Sequence, residues 1–254
     1  MSDSGETIDQ RQERLLAAED GRSYAIDKMG TGLGCLSTFE SIGPANVTFC
    51  LPSAPGLFLK LAHKAFTSYR DVEISTFFDE HPISEGGMYP EDHKPLLDFC
   101  EQYAAHVVFA FTALESFANE EIASKVSERG YSYTTVRQRK RGKPGEKVTY
   151  EGEAIEREVP LSEKLARVLP DALGVGSPKG VHLWQHYKSL NKWRNRIIHL
   201  KMADRKPLGI ADPSIWGDML RNPKEAFCDN AHQLMGIYGA AVTNRRWHQK
   251  YPYS

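Results

Sequence analysis

The most regular feature of the sequence is a run of apolar residues at helical spacing near its middle. Between Asp92 and Gly130, apolar side chains recur every three or four positions, the period of a helix that buries one face. They are Leu96, Leu97, Cys100, Tyr103, Ala104, Val107, Val108, Phe111, Leu114, Phe117, Ala118 and Ile122. Pro95 suits the first helical turn, where its missing N–H needs no partner. The pattern predicts one long central helix that ends before Gly130.

Shorter helical patterns occur on both sides of this segment. They predict helices at about 57–66, 162–169, 181–202 and 224–246, the second capped by Ser162 and halted near Pro170. Residues 21–55 are rich in Gly, Ser and Thr, which favours loops and one short strand. Residues 131–151 break the helical period and predict a β-hairpin or an ordered loop. We therefore expect a mainly α-helical bundle with a small β-hairpin or loop insertion and an irregular N-terminal region.

The predicted elements divide the chain into two parts. Residues 1–90 form a partly irregular region to which no role is assigned, and residues 91–254 form a helical domain with a basic insertion at 131–151. The 254 residues, 41% of them hydrophobic, suffice for a packed core.

Charge and hydropathy limit the partners and the cellular location that we expect for this chain. With 32 basic and 33 acidic residues the formal net charge is −1, so attraction to nucleic acid would depend on a local patch. No apolar run approaches the roughly 20 residues that cross a bilayer, and the first residues lack a secretory pattern. We expect a cytoplasmic protein that does not insert into membranes.

Metal and cofactor sites are not indicated by residue spacing. Four cysteines lie far apart, without the paired spacing typical of zinc sites, and we interpret them as buried or idle thiols. His182 and His186 are four residues apart, but no third ligand at suitable spacing is evident. We therefore predict no cofactor and no metal. His63 and His106 lie within apolar helical patterns and are interpreted as residues in or near the core.

The chemistry of the chain is concentrated in the segment that ends with His199. Arg194, Asn195 and His199 lie close together within the predicted helix 181–202. Histidine transfers protons near neutral pH, arginine binds phosphate through a planar fork, and asparagine can orient either group. On an ideal helix Arg194 falls within the apolar stripe and lies about 140° from His199. An arginine on an apolar face needs an anionic partner, and Glu115 is the nearest candidate.

This motif resembles that of the HEPN superfamily. Arg194-Asn195 is followed by three residues and His199, and an earlier helix carries Glu115 and Asn119; the resemblance spans roughly residues 96–246. Members with this motif are metal-independent endoribonucleases, found among bacterial toxins, abortive-infection proteins and CRISPR-associated nucleases. Their domains commonly form dimers in which two motifs face one cleft.

The resemblance implies a function and a set of roles. The chain would be a metal-independent endoribonuclease that cleaves RNA by attack of the 2′-hydroxyl, in a bacterial defence or toxin–antitoxin setting. His199 would act as general acid or base, Arg194 would stabilise charge on the phosphate, and Asn195 would orient either His199 or the phosphate. The implied partners are RNA, a second copy of the chain, and an antitoxin or sensor protein.

Two groups of residues have supporting interpretations. Lys192 and Arg196 flank the motif and would hold the RNA backbone, although an exposed basic helix face explains them equally simply. A basic run in the insertion would contact phosphates, with Tyr131, Tyr133 and Tyr150 stacking on bases. Its basic residues are Arg137, Arg139, Lys140, Arg141 and Lys143. A solvated hairpin tip is the alternative interpretation of this run.

Two further hypotheses about function remain open. One is that the chain is a non-catalytic HEPN-like module that binds RNA, a nucleotide or a protein partner. It is also compatible with an assembly protein in which Arg194 serves dimer packing. A buried Arg194–Glu115 ion pair, with His199 at the end of its helix, would fit both of these readings.

Overall fold

The computed structural model describes residues 25–29, 32–35, 37–78, 90, 92–137, 145–200, 204 and 214–252. Within these ranges the fold is mainly helical, as predicted. The helices are α1 (Ala54–Tyr69), α2 (Lys94–Arg129), α3 (Glu153–Glu158), α4 (residues 161–173), α5 (Leu183–Ile198), α6 (Ile215–Arg221), α7 (Phe227–Gly236), α8 (Ala240–Thr243) and α9 (Arg246–Gln249). The strands are β1 (Ala25–Met29), β2 (Gly32–Cys35), β3 (Ser37–Ile42), β4 (Ala45–Cys50), β5 (Ser132–Arg137) and β6 (Glu146–Glu151).

Helix α2 is the central element, and the sequence predicted its limits well. It begins just before Pro95 and ends at Gly130, which adopts the left-handed conformation (φ 63°) that glycine accommodates without steric cost. Helix α1 packs along α2, and side chains of both helices belong to the same buried cluster. The packed core therefore extends across residue 90, where the sequence suggested a boundary between two regions.

The strands form antiparallel pairs, β1 with β2, β3 with β4 and β5 with β6. The expectation of loops and one short strand in residues 21–55 was wrong, because two hairpins lie there. The β3–β4 pair is continuous from Ser37↔Cys50 to Ile42↔Ala45. The insertion at 131–151 contains the predicted hairpin, β5–β6, with Tyr133 paired directly to Tyr150.

Helix α4 passes through Pro170 instead of stopping there. Its middle section, Lys164–Val168, is a π-helix, and the turn Leu169–Leu173 continues beyond it. Pro170 has no N–H to donate to the preceding turn, where the carbonyls of Leu165 and Ala166 lie. Other side chains replace it: Tyr238 Oη donates to the Leu165 carbonyl at 2.6 Å, and Ser177 Oγ donates to the Ala166 carbonyl at 2.7 Å. The prediction that Pro170 halts this helix was wrong for that reason.

The last predicted helix, 224–246, is divided into α7, α8 and α9. The break lies at Gly239, whose φ of 99° is unfavourable for residues with a Cβ atom. Val242 and Trp247, from the two short helices after the break, are still buried in the core. In the described ranges, no helix has both the length and the apolar character needed to span a bilayer.

Candidate active site at the end of helix α5

Helix α5 presents the predicted motif at its C-terminal end. Trp184, Tyr187 and Leu190 bury one face of the helix, and it packs against α2 and α7. The helix ends at Ile198, four residues earlier than predicted, and His199 is its C-cap with φ −117° and ψ 59°. The backbone N–H of His199 still donates to the Asn195 carbonyl at 3.1 Å, so the chain leaves the helical path only after His199. The His199 side chain is exposed to solvent.

Arg194 is held by an aromatic ring and an amide. Its guanidinium carbon lies 4.9 Å from the centre of the Phe111 ring on α2, a cation–π contact. Arg194 Nη1 donates to Asn195 Oδ1 at 3.1 Å, and Asn195 Nδ2 donates to Asn191 Oδ1 at 3.3 Å. Among the described residues Arg194 forms no ion pair with a carboxylate. The described structure therefore contains no ion pair between Arg194 and Glu115, which the sequence had suggested.

Glu115 and Asn119 serve a different cation, Lys164. Lys164 Nζ donates to Asn119 Oδ1 at 2.8 Å and to the Glu156 carbonyl at 2.5 Å. Burial lowers the pKa of Lys164, and the negative charges of Glu115 and Glu156 oppose that change. Both predicted supporting residues thus stabilise a buried lysine at the start of the π-helical section.

Arg196 is bound by two carboxylates on the segment that follows the motif. Its Nε and Nη2 donate to Asp204 Oδ1 at 3.2 and 2.7 Å, and its Nη1 donates to Asp218 Oδ2 at 2.5 Å. Asp204 is buried and also accepts the backbone N–H of Ile215 at 3.0 Å. Arg196 therefore anchors the last turn of α5 to α6, and this arrangement does not support the expectation that it holds RNA. Lys192, the other flanking cation, is exposed.

Asp204→Asn is expected to lower the free energy of unfolding by about 2 kcal/mol, because hydrogen bonds to a charged group contribute about 1.5–3 kcal/mol. Urea unfolding followed by circular dichroism measures this change. Asp71→Asn is the matched control, since Asp71 pairs with Arg70 at the surface with its side chain 82% exposed. That variant should lose less than about 0.5 kcal/mol, and equal losses in both variants would contradict a structural role for the Arg196 network.

The basic run within the insertion lies largely beyond the described residues. Arg139, Lys140, Arg141 and Lys143 fall outside them, and Arg137 is described only as the last residue of β5. The neighbouring tyrosines do not fit the base-stacking interpretation. Tyr133 and Tyr150 are buried, with Tyr133 Oη donating to Glu163 Oε1 at 2.6 Å, and Tyr131 Oη donates to Asp171 Oδ2 at 2.9 Å. These contacts dock the hairpin on α4.

The structure brings together one group of potential metal ligands that the sequence did not predict. His63 on α1 lies close to Cys228 and Asp229 on α7, and their potential ligand atoms are within 4.8 Å of one another. No spacing rule connects a histidine to residues so distant in the chain, so only the packing of α1 on α7 reveals this group. His182 and His186 contact each other at 3.2 Å.

The site is thus an exposed histidine at a helix end, five residues after an arginine that is held in place without a counter-charge in the described structure. No match to this chain was found among protein-family models, curated proteins or solved structures.

Proposed function

We propose that the chain is a metal-independent endoribonuclease of the HEPN type. The observation that supports this most strongly is the difference between two arginines on the same helix. Arg196 is neutralised by Asp204 and Asp218, whereas Arg194 is positioned by Phe111 and Asn195 without a carboxylate among the described residues. A positioned guanidinium without a counter-charge is suited to binding a phosphate in a bidentate manner.

The proposed reaction uses the nucleophile that RNA itself carries. The 2′-hydroxyl oxygen attacks the adjacent phosphorus, the bond to the 5′-oxygen breaks, and a 2′,3′-cyclic phosphate and a 5′-hydroxyl are formed. His199 removes the proton from the 2′-hydroxyl or donates one to the leaving oxygen. Arg194 stabilises the charge that develops on the phosphate oxygens. Asn195, whose oxygen accepts the Arg194 hydrogen bond, orients the guanidinium.

A second copy of the chain would complete this chemistry, because the reaction requires one proton acceptor and one proton donor. His199 of each copy would supply one of the two. Ile198, next to His199, leaves 49% of its surface exposed, which provides an apolar contact beside the motif for a homodimer. The proposed setting, bacterial defence with an antitoxin or sensor partner, rests on the family resemblance alone.

Incubation of the purified full-length chain with total RNA in the presence of EDTA tests this function. We expect cleavage that persists in the chelator and leaves cyclic phosphate ends. Such ends resist 3′-end ligation until a kinase with 3′-phosphatase activity has removed the cyclic phosphate. Arg194→Ala should lose cleavage, because the charge on the phosphate is no longer stabilised. Lys188→Ala, which removes an exposed cation from the same helix, should cleave like the wild type.

Other results would contradict the proposal. Fragments with 3′-hydroxyl ends, or loss of cleavage in EDTA while circular dichroism shows an intact fold, would indicate a different mechanism. Binding of RNA without cleavage would instead identify the non-catalytic module that the sequence left open.

A further inference from the structure

We propose that His63, Cys228 and Asp229 form a binding site for a divalent metal ion of the zinc class. One ring nitrogen, one sulfur and one carboxylate oxygen meet within 4.8 Å, and they come from two helices that pack against each other. This site is separate from the motif on α5, and the proposed RNA cleavage does not use it.

The distances fit a tetrahedral ion after a small contraction. Zinc–nitrogen, zinc–oxygen and zinc–sulfur bonds of about 2.0–2.3 Å place neighbouring ligand atoms about 3.4–3.6 Å apart. Cys228 Sγ and Asp229 Oδ1 are 3.8 Å apart, close to that separation. The widest pair, at no more than 4.8 Å, would have to approach by about 1 Å, which rotation of the partly exposed His63 and Asp229 side chains can supply.

The donor set selects the kind of metal. A thiolate and an imidazole are poor ligands for Mg²⁺ and Ca²⁺, which prefer oxygen, and good ligands for Zn²⁺ and Co²⁺. With three protein ligands, a tetrahedral ion retains a fourth position for a water molecule.

His63 supplies an independent indication that a ligand is bound. Its Nδ1 atom is buried and has no hydrogen-bond partner in the described structure, although unsatisfied buried polar atoms are rare and cost about 1–3 kcal/mol. The ring also lies edge-on to that of Tyr251, with centroids 5.5 Å apart. Binding of the ion through Nδ1, one of the two ring nitrogens that His63 can offer, would give this atom its missing partner.

Neighbouring residues hold the ligands in place. The backbone N–H of Cys228 donates to His106 Nε2 at 3.0 Å, which fixes the first turn of α7. Tyr251 Oη donates to Asp229 Oδ1, and its ring stacks on that of His232 with centroids 4.4 Å apart. The Tyr251 hydrogen bond is made to a proposed ligand side chain, and bonds of this kind restrict the orientation of such side chains and raise their affinity for the ion.

Cobalt titration of the chelator-stripped full-length protein, under reducing conditions, tests the proposal. We expect one Co²⁺ per chain, a near-ultraviolet thiolate-to-cobalt charge-transfer band, and loss of that band when Zn²⁺ is added. Cys228→Ser and His63→Gln should abolish the band. Cys100→Ser should retain it, because Cys100 is a second buried thiol that lies outside the cluster. The double variant His182→Ala/His186→Ala should also retain it, which separates this site from the surface histidine pair.

The proposal is overturned if the wild type shows no charge-transfer band, or if the band survives Cys228→Ser or disappears in Cys100→Ser or in the double histidine variant. Should Cys228→Ser fail to fold, protection of Cys228 from iodoacetamide by Zn²⁺ in the wild type decides the matter, and unprotected alkylation contradicts the site. RNA cleavage by Cys228→Ser should equal that of the wild type, so failure of one proposal is distinguishable from failure of the other.

Discussion

Replacing His199 by alanine should reduce the rate of RNA cleavage by about 10²–10⁴-fold, the range that a general acid or base typically contributes. The fold should be preserved, because the His199 side chain is exposed and its one described hydrogen bond is made by the backbone N–H to the Asn195 carbonyl at 3.1 Å. Alanine retains that N–H. Single-turnover cleavage of an end-labelled RNA, together with the melting temperature, measures both effects.

The matched control is His182→Ala at the start of the same helix. His182 is also exposed, and its loss should leave the cleavage rate within about twofold of the wild type, since surface substitutions have small effects. Wild-type cleavage by His199→Ala would exclude His199 as the proton-transfer group. Equal loss in both variants would indicate a general effect of altering this surface rather than a specific role for His199.

Replacing His106 by leucine should lower the free energy of unfolding by about 2–5 kcal/mol. The Tyr69 hydroxyl and the Cys228 N–H would each lose a buried hydrogen-bond partner, and each loss costs about 1–3 kcal/mol. His106 is fully buried. Its Nδ1 contacts Tyr69 Oη at 2.7 Å, and its Nε2 accepts the Cys228 N–H at 3.0 Å. That geometry assigns the proton to Nδ1, which donates to the Tyr69 oxygen. Against a typical total of about 5–15 kcal/mol, such a loss is readily measured by urea unfolding.

A double-mutant cycle provides the control for this prediction. Tyr69→Phe removes the other half of the hydrogen bond, so it should destabilise the wild type more than it destabilises His106→Leu. If the effects of the two substitutions simply add, the interaction between the phenol and the imidazole contributes nothing to stability.

The same residue makes stability depend on pH. Burial lowers the pKa of His106 from 6.5 to about 3, so between these values the unfolded chain binds a proton that the folded chain does not. The contribution of His106 to stability is complete above about pH 6.5 and decreases as the pH falls towards 3. His248, whose pKa is lowered to about 4, adds a decrease of the same sign in both proteins. The wild type should therefore lose stability more steeply than His106→Leu in this range, because only the wild type contains His106.

The sequence identified the elements whose limits are set by local chemistry. Pro95 and Gly130 delimit α2 because one residue suits a first turn and the other a left-handed cap. The end of α5 was missed because neither glycine nor proline follows Ile198. The passage of α4 through Pro170 was missed because it depends on Tyr238 and Ser177, whose contacts with α4 follow from tertiary packing and not from a local pattern.

The sequence named the residues of the candidate site but not the residues that they contact. Helical periodicity indicated that Arg194 faces the core, but a periodic pattern cannot decide which turn of a neighbouring helix it meets. The structure places Phe111 there, one turn before Glu115. The His63–Cys228–Asp229 group was missed for a related reason, since these three side chains come together only when α1 packs against α7.

The π-helical section of α4 links distant parts of the chain in one cooperative unit. If the segment after α7 opened locally, the Leu165 carbonyl would lose the Tyr238 hydroxyl and remain buried without a donor. Local fluctuations are confined to segments that can open without leaving such groups unsatisfied. We therefore expect the described segment after α7 to unfold together with the middle of the bundle rather than ahead of it.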